Sequence, residues 1–165
     1  MKLIALGSNL PHPEIGPPLA VVEAACTALE QAGATILAQS RWYETHPVPV
    51  SDQPNFINGV VQVAFNGEAE ALLTVMHGIE DSLGRQRSVR NAARIVDLDL
   101  LAFEQQLCEQ PSLILPHPRL HERRFVLQPI VDIDPSWRHP SIGKTAAMLL
   151  QALPPAEPGD TVPIS

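Results

Sequence analysis

Apolar and polar positions along the chain alternate with two different periods, and the switches between them mark out the elements. A short apolar run over residues 1–6 ends in Gly7-Ser8-Asn9 and reads as a first strand that stops in a turn. Pro17-Pro18 stand where a helix start tolerates proline, so residues 19–32 form a predicted helix closed by Gly33. Residues 35–45 carry Ile36, Leu37, Trp42 and Tyr43 and predict a second strand, broken by His46-Pro47-Val48-Pro49. Residues 56–65 predict a third, with Gly59, Val61, Val63 and Phe65 on one face and Asn58, Val60, Gln62 and Ala64 on the other, more polar face. Leu72, Val75, Met76, Ile79 and Leu83 recur at three- and four-residue spacing, which predicts a helix over 68–83 stopped by Gly84, with Glu80 at the edge of the stripe. Residues 95–103 predict a fourth strand, followed by proline-bearing loops with short helices near 120–130 and 144–153. The last stretch, 154–165, holds four prolines and little that could pack, and is expected to be a disordered tail.

Strand, helix, strand, strand, helix, strand is the split βαβ order of ferredoxin-like folds. The expectation is therefore an α+β domain with a βαββαβ core, a mainly antiparallel sheet and flanking helices in α/β/α layers, over residues 1–153. A length of 165 residues, 45% of them apolar, supports one such core and excludes a disordered chain. No apolar run approaches the roughly 20 residues that span a bilayer, and residues 2–6 are too short for a secretory signal, so the expected location is the cytoplasm. Cys26 and Cys108 have no metal-ligand spacing with each other or with a histidine and are expected to be core or surface residues.

Charge changes the picture. Eighteen acids against eleven bases give a net charge of −7, which argues against a binder of long polyanions. Yet seven of the nine arginines, Arg85, Arg87, Arg90, Arg94, Arg119, Arg123 and Arg124, lie in one window. Guanidinium suits multidentate contact with phosphate oxygens, and an acidic remainder tolerates one small anionic ligand. A solvated basic face is the plain alternative.

Just after the first arginines stands Ile95-Val96-Asp97-Leu98-Asp99-Leu100-Leu101. On a strand, Asp97 and Asp99 share one face and Leu98 and Leu100 the other. Two carboxylates held side by side repel unless a cation or arginines compensate, and hard oxygen donors at that spacing suit Mg²⁺ with substrate phosphates. Two acids on an exposed strand face would look the same. Arginines upstream favour the metal reading, because metal with arginine clamps is the layout of phosphoryl transfer. No Walker-type loop or G-x-G-x-x-G run is present, so the common phosphate-binding routes are excluded. A second dense patch, Leu115-Pro116-His117-Pro118-Arg119 with Glu122-Arg123-Arg124-Phe125, offers His117 and Arg123 as phosphate donors, although a lone histidine is commonly structural. The histidines show no zinc spacing.

Five blocks in order carry a resemblance: Ala5-Leu6-Gly7-Ser8-Asn9-Leu10; Tyr43-Glu44-Thr45 with Asp52-Gln53-Pro54-Asn55-Phe56-Ile57-Asn58; Glu80 through Gly84-Arg85-Gln86-Arg87; Asp97-Leu98-Asp99-Leu100-Leu101; and the patch from Leu115 to Phe125. Over residues 1–140 the chain resembles the 6-hydroxymethyl-7,8-dihydropterin pyrophosphokinases of the folate pathway. The resemblance implies transfer of pyrophosphate from ATP to the hydroxymethyl group of the reduced pterin, releasing AMP, with two Mg²⁺ ions. It implies that Asp97 and Asp99 are metal ligands and that Arg85 and Arg94 are catalytic arginines. ATP contacts are implied at Arg87, His117 and Arg123, with Leu73, His77, Glu80 and Leu100 near the nucleotide and Arg90 in the place of a second loop arginine. The pterin pocket is implied at Thr45, Val48, Phe56, Asn58 and Phe125, where aromatic rings and an amide suit a flat heterocycle with a polar edge. The sequence departs from the family at Arg90-Asn91-Ala92-Ala93-Arg94, one residue shorter than the usual run and without its Trp and Pro, and at Phe56, where Tyr is frequent. Residues 85–94 are expected to be mobile when empty and to order over ATP.

The partners expected are ATP and a reduced pterin, with no nucleic acid or membrane, and the chain is expected to be a monomer. A kinase or pyrophosphokinase acting on another pterin is the competing enzyme reading. An idle pterin- or nucleotide-binding module should have lost one of Arg85, Arg94, Asp97 and Asp99, and all four are present. An RNA-recognition domain shares the element order but needs exposed aromatics and a basic face, against 4% aromatic residues and a charge of −7 here.

Overall fold

Along Lys2–Ser8 the side chains are buried on both faces: Ile4 and Leu6 point into one core, Leu3 into another. This strand therefore lies in the middle of three layers. The computed structural model describes residues 1–47, 50–84 and 95–164. In chain order the elements are β1 (Lys2–Ser8), α1 (Pro18–Gln31), β2 (Thr35–Gln39), β3 (Tyr43–Thr45), β4 (Phe56–Ala64), α2 (Ala69–Ser82), β5 (Asp97–Phe103), β6 (Cys108–Gln110), β7 (Leu113–Leu115), α3 (Arg124–Ile133), α4 (Ala146–Gln151) and β8 (Val162–Pro163). A 3-10 turn, Leu120–Glu122, precedes α3.

The main sheet runs β5-β1-β4-β3-β8, with β2 also on β4, and every pairing is antiparallel. With β2 and β3 counted as one interrupted strand, this is the expected ferredoxin-like sheet. α1 and α2 cover one face through Val22, Leu29, Leu72 and Met76 packed on Ile4, Val61, Val63, Leu98 and Leu100. α3 and α4 cover the other, where Val126, Leu127, Ile130 and Leu149 meet Leu3, Val60 and Leu101.

The predicted strand over 35–45 is split because Ser40 turns inward. Its N–H donates to Val60 O and its Oγ accepts from Val60 N–H, each at 2.9 Å, while Trp42 lies over Gly59, where a Cβ would come within 2.5 Å of the indole. Tyr43 then crosses to α3: its hydroxyl meets Asp132 Oδ2 at 2.5 Å, and burial with that bond pushes the phenol up to about 12. Cys26 is buried with its thiol also pushed up to about 12, chiefly by desolvation, and Cys108 is half-buried, as a core and a surface residue would be.

One expectation is corrected. Residues 154–165 are not a disordered tail throughout: Val162 and Pro163 pair with Glu44 and Tyr43, and Ile164 N–H donates to Trp42 O at 3.0 Å. The prolines are compatible with this because an edge strand leaves one side of its backbone unpaired. The β6–β7 hairpin was also absent from the sequence reading. No helix among the described residues is long and apolar enough to cross a membrane.

Candidate active site

Leu98 and Leu100 are buried against α1 and α2, so Asp97 and Asp99 project from β5 on the opposite, α3-facing side. Both are half-buried. The ladder places Asp99 beside Ala5 and Asp97 beside Gly7, and Gly7 in turn beside Asn58 of β4. Three neighbouring strands set the backbones of Asp97 and Asn58 about 10 Å apart, across a residue with no side chain. Part of that space is used. Asn58 Oδ1 occupies the volume a Cβ at Gly7 would need, only 2.6 Å from its ideal position.

The Asn58 amide is fixed at its other end, where Nδ2 donates to Thr45 Oγ1 at 2.6 Å; Thr45 is buried and pairs in register with Phe56. Thr45, Phe56 and Asn58 thus form one group on β3 and β4. Phe125 comes from the first turn of α3, half-buried, with the Arg123 guanidinium 5.5 Å from its ring centre.

His117 and Arg123 belong to the same electrostatic cluster as the carboxylates. Burial, then repulsion from Arg119, holds the Arg123 guanidinium below its ordinary value, and Asp99 and Asp97 oppose that shift. Burial, then Arg123, pushes His117 down to about 4 against the pull of Asp97. His117 is therefore neutral at pH 7. Its backbone N–H donates to Leu101 O at 2.9 Å, and its Nδ1 accepts from Arg119 N–H at 3.3 Å, which puts the ring proton on Nε2.

On the α2 side, Leu73, His77 and Glu80 follow helical spacing. Leu73 is half-buried and His77 exposed. Glu80 is completely buried, and its Oε2 accepts the N–H of Leu98 at 2.8 Å. A buried carboxylate on a strand amide holds the strand. Because Leu98 directs its N–H outward to Glu80, the backbone of Leu100 faces the same edge by the two-residue alternation of a strand, while its side chain lies in the core.

Arg85, Arg87, Arg90, Arg94 and Val48 lie outside the described residues, as does the expected closure of residues 85–94 over ATP. The residues on either side of that segment meet: a Cβ on Gly84 would sit 3.5 Å from Ile95 Cδ1. Asn9, which the sequence marks only as part of a turn, is buried and donates through Nδ2 to Gln53 Oε1 and to Pro54 O, both at 3.1 Å. That bond ties the end of β1 to the loop leading into Phe56. The position was visible as Gly7-Ser8-Asn9, but the contact spans more than forty residues and has no local signal. A separate cleft of about 600 Å³ has His117 in its wall with His121, His139 and Ile142, and neither carboxylate.

Among the described residues no group of three or more His, Cys, Asp or Glu could enclose a metal. Two half-buried carboxylates on one strand face instead suit a hard divalent ion that takes its remaining ligands from water and substrate phosphates.

Known proteins resemble this chain over most of its length. The model of the 7,8-dihydro-6-hydroxymethylpterin-pyrophosphokinase family matches residues 3–135, a span that holds every candidate residue. The 2-amino-4-hydroxy-6-hydroxymethyldihydropteridine pyrophosphokinase of Pseudomonas aeruginosa is 38% identical over 152 residues, which cover 92% of this chain and 90% of that one. The Bacillus subtilis protein of the same name is 41% identical over 131 residues, 79% of this chain and 75% of that one. In a crystal structure of Plasmodium falciparum HPPK-DHPS the fold recurs with a TM-score of 0.72 at 16% identity, over 91% of this chain and 44% of that longer one. Matches that run from β1 through α3 and reach both ends of the site show that the chain belongs to the 7,8-dihydro-6-hydroxymethylpterin-pyrophosphokinase family.

Proposed function

We propose that this chain transfers pyrophosphate from ATP to the hydroxymethyl group of 6-hydroxymethyl-7,8-dihydropterin, releasing AMP, with Asp97 and Asp99 at the phosphate end of the site and Asn58 at the pterin end. The observation that carries this reading is the row Asp97, Gly7, Asn58 across three adjacent strands. Its middle position has no side chain, and the Asn58 amide oxygen takes that volume, one strand away from the carboxylate pair.

In this reading Thr45 and Asn58 present oriented polar groups to the edge of the heterocycle, and Phe56 and Phe125 its stacking surfaces, and Val48 is a further pterin contact. The Leu100 backbone, with Leu73 and His77, receives the adenine side of the nucleotide at the free edge of β5. His117 offers a neutral Nε2–H and Arg123 its guanidinium to the phosphate chain, which Arg87 and Arg90 also contact. Arg85 and Arg94 neutralise charge on the group in transfer. Mg²⁺ held by Asp97 and Asp99, two ions in all, would supply charge neutralisation on the phosphates and a lowered pKa for the attacking hydroxyl. Glu80 serves the nucleotide side indirectly, by holding β5. The chain acts as a monomer.

Incubation with ATP, Mg²⁺ and the pterin, followed by mass analysis, tests the reading. A pterin bearing a diphosphate, formed with AMP in equal amount, is the expected product. ADP with a monophosphorylated pterin, or AMP formed without any pterin product, would refute it.

A further inference from the structure

Beyond α4 the chain crosses from the start of α3 to the outer edge of β3; it touches the residue before one aromatic ring and, through His46, reaches the residue before another. Pro154 O accepts from Arg124 Nη2 at 2.6 Å, and Asp160 Oδ2 lies 3.7 Å from Arg124 Nε. Arg124 immediately precedes Phe125. One residue before Asp160, Gly159, at φ +83°, lies against His46, so closely that a Cβ would come within 2.8 Å of its Nε2. His46 Nδ1 stands 3.3 Å from Asn55 Oδ1, and Asn55 Nδ2 donates to Glu44 Oε1 at 3.1 Å. Asn55 immediately precedes Phe56.

The rest of the segment is tied down as well. Asp160 N–H closes a turn onto Glu157 O at 3.0 Å, Thr161 is buried with its hydroxyl donating to Asp160 Oδ1 at 2.9 Å, and β8 covers the edge of β3. Without β8, a three-residue strand that carries Thr45 would have one unpaired edge.

We propose that residues 154–164 form a strap that sets the position of Phe56 relative to Phe125, and so tunes affinity for the pterin while leaving nucleotide affinity to β5 and α2. The proposal rests on the reading of those two rings as the pterin pocket. The strap acts beside the rings. It holds their neighbours through Arg124 on one side and His46 and Asn55 on the other, and it adds the strand that keeps Thr45, and with it Asn58, in register. Its residues are positioning residues.

The test uses four proteins beside the intact chain: one truncated after Leu153, Arg124→Gln, Gly159→Ala and, as a control on the pocket, Phe125→Ala. Pterin affinity is measured in the presence of a non-hydrolysable ATP analogue, and affinity for that analogue is measured alone. The truncated chain, Arg124→Gln and Gly159→Ala should each weaken pterin binding by about tenfold, or about 1.4 kcal/mol, with analogue binding changed by less than about twofold. If the truncated chain does not fold, the two point variants decide. Pterin binding that stays at the intact level in the strap variants while Phe125→Ala loses it would overturn the strap and leave the pocket standing. Equal losses for pterin and analogue would overturn it as well, by showing a general structural effect. If Phe125→Ala also binds pterin normally, the pocket reading itself is what fails.

Discussion

Glu80 Oε2 accepts the Leu98 N–H at 2.8 Å from a position with no solvent exposure, so a carboxylate of α2 is fastened to the peptide between Asp97 and Asp99. Among the described residues β5 is the edge of the sheet, and its outer amides meet no neighbouring strand. Glu80 fills that role at the residue where the geometry of the carboxylate pair is set. Glu80→Ala should destabilise the fold by about 1–3 kcal/mol, the cost of leaving a buried donor unmade. It should also speed hydrogen exchange at the Leu98 amide and weaken Mn²⁺ binding in the presence of an ATP analogue. Glu80→Gln, which keeps an acceptor, should restore most of the exchange protection. An unchanged Leu98 exchange rate in Glu80→Ala would contradict this role.

Gly7 and Asn58 are coupled through space, since Asn58 Oδ1 takes the volume of an absent Cβ. Gly7→Ala should therefore displace the end of a flexible side chain, costing little stability but breaking the 2.6 Å bond from Asn58 to Thr45. Pterin affinity should fall about tenfold, with nucleotide affinity kept, as expected when one polar contact is misplaced. Calorimetric titration of each ligand separates the two effects, and equal losses for both would count against the pocket assignment.

His117 gives a pH prediction for the ligand-free protein. Its ordinary value of 6.5 is pushed down to about 4, mainly by burial and then by Arg123. As pH falls the unfolded chain takes up this proton first, so His117 subtracts stability progressively between about pH 6.5 and about 4 and has no effect above that window. In His117→Gln the melting temperature should fall less steeply across that range. ¹⁵N spectra at pH 7 should show the proton on Nε2. A charged imidazole at pH 6 would refute the assignment.

The sequence made the central elements legible where period and burial agree. Leu72, Met76 and Ile79 all lie in the core of α2, and the alternation in Asp97-Leu98-Asp99-Leu100 survives in β5, with its leucines inside. The alternation in residues 56–65 misled in one respect. Asn58, Val60 and Gln62 read as the more polar face, but α3 and α4 cover it and Val60 is fully buried. The short apolar segments of α3 and α4 gave no sign of which sheet face they would seek. The break at Ser40, the bond from Asn9 to Gln53 and the strap over His46 share a cause. Each depends on a contact between residues far apart in the chain, with only a serine, an asparagine or a glycine to mark it. Prolines in residues 154–165 were read as a lack of packing, whereas at a sheet edge they are tolerated.

The most direct measurement is AMP formation as a function of Mg²⁺, with and without the pterin, in the intact chain and in Asp97→Asn and Asp99→Asn. The account predicts AMP only when ATP, Mg²⁺ and pterin are all present, and a fall in kcat of roughly 10²–10³-fold or more in each variant, the scale of losing an electrostatic transition-state contact, with the fold and pterin binding retained. Wild-type turnover in either variant would contradict the assignment of Asp97 and Asp99 as the phosphate end of the site.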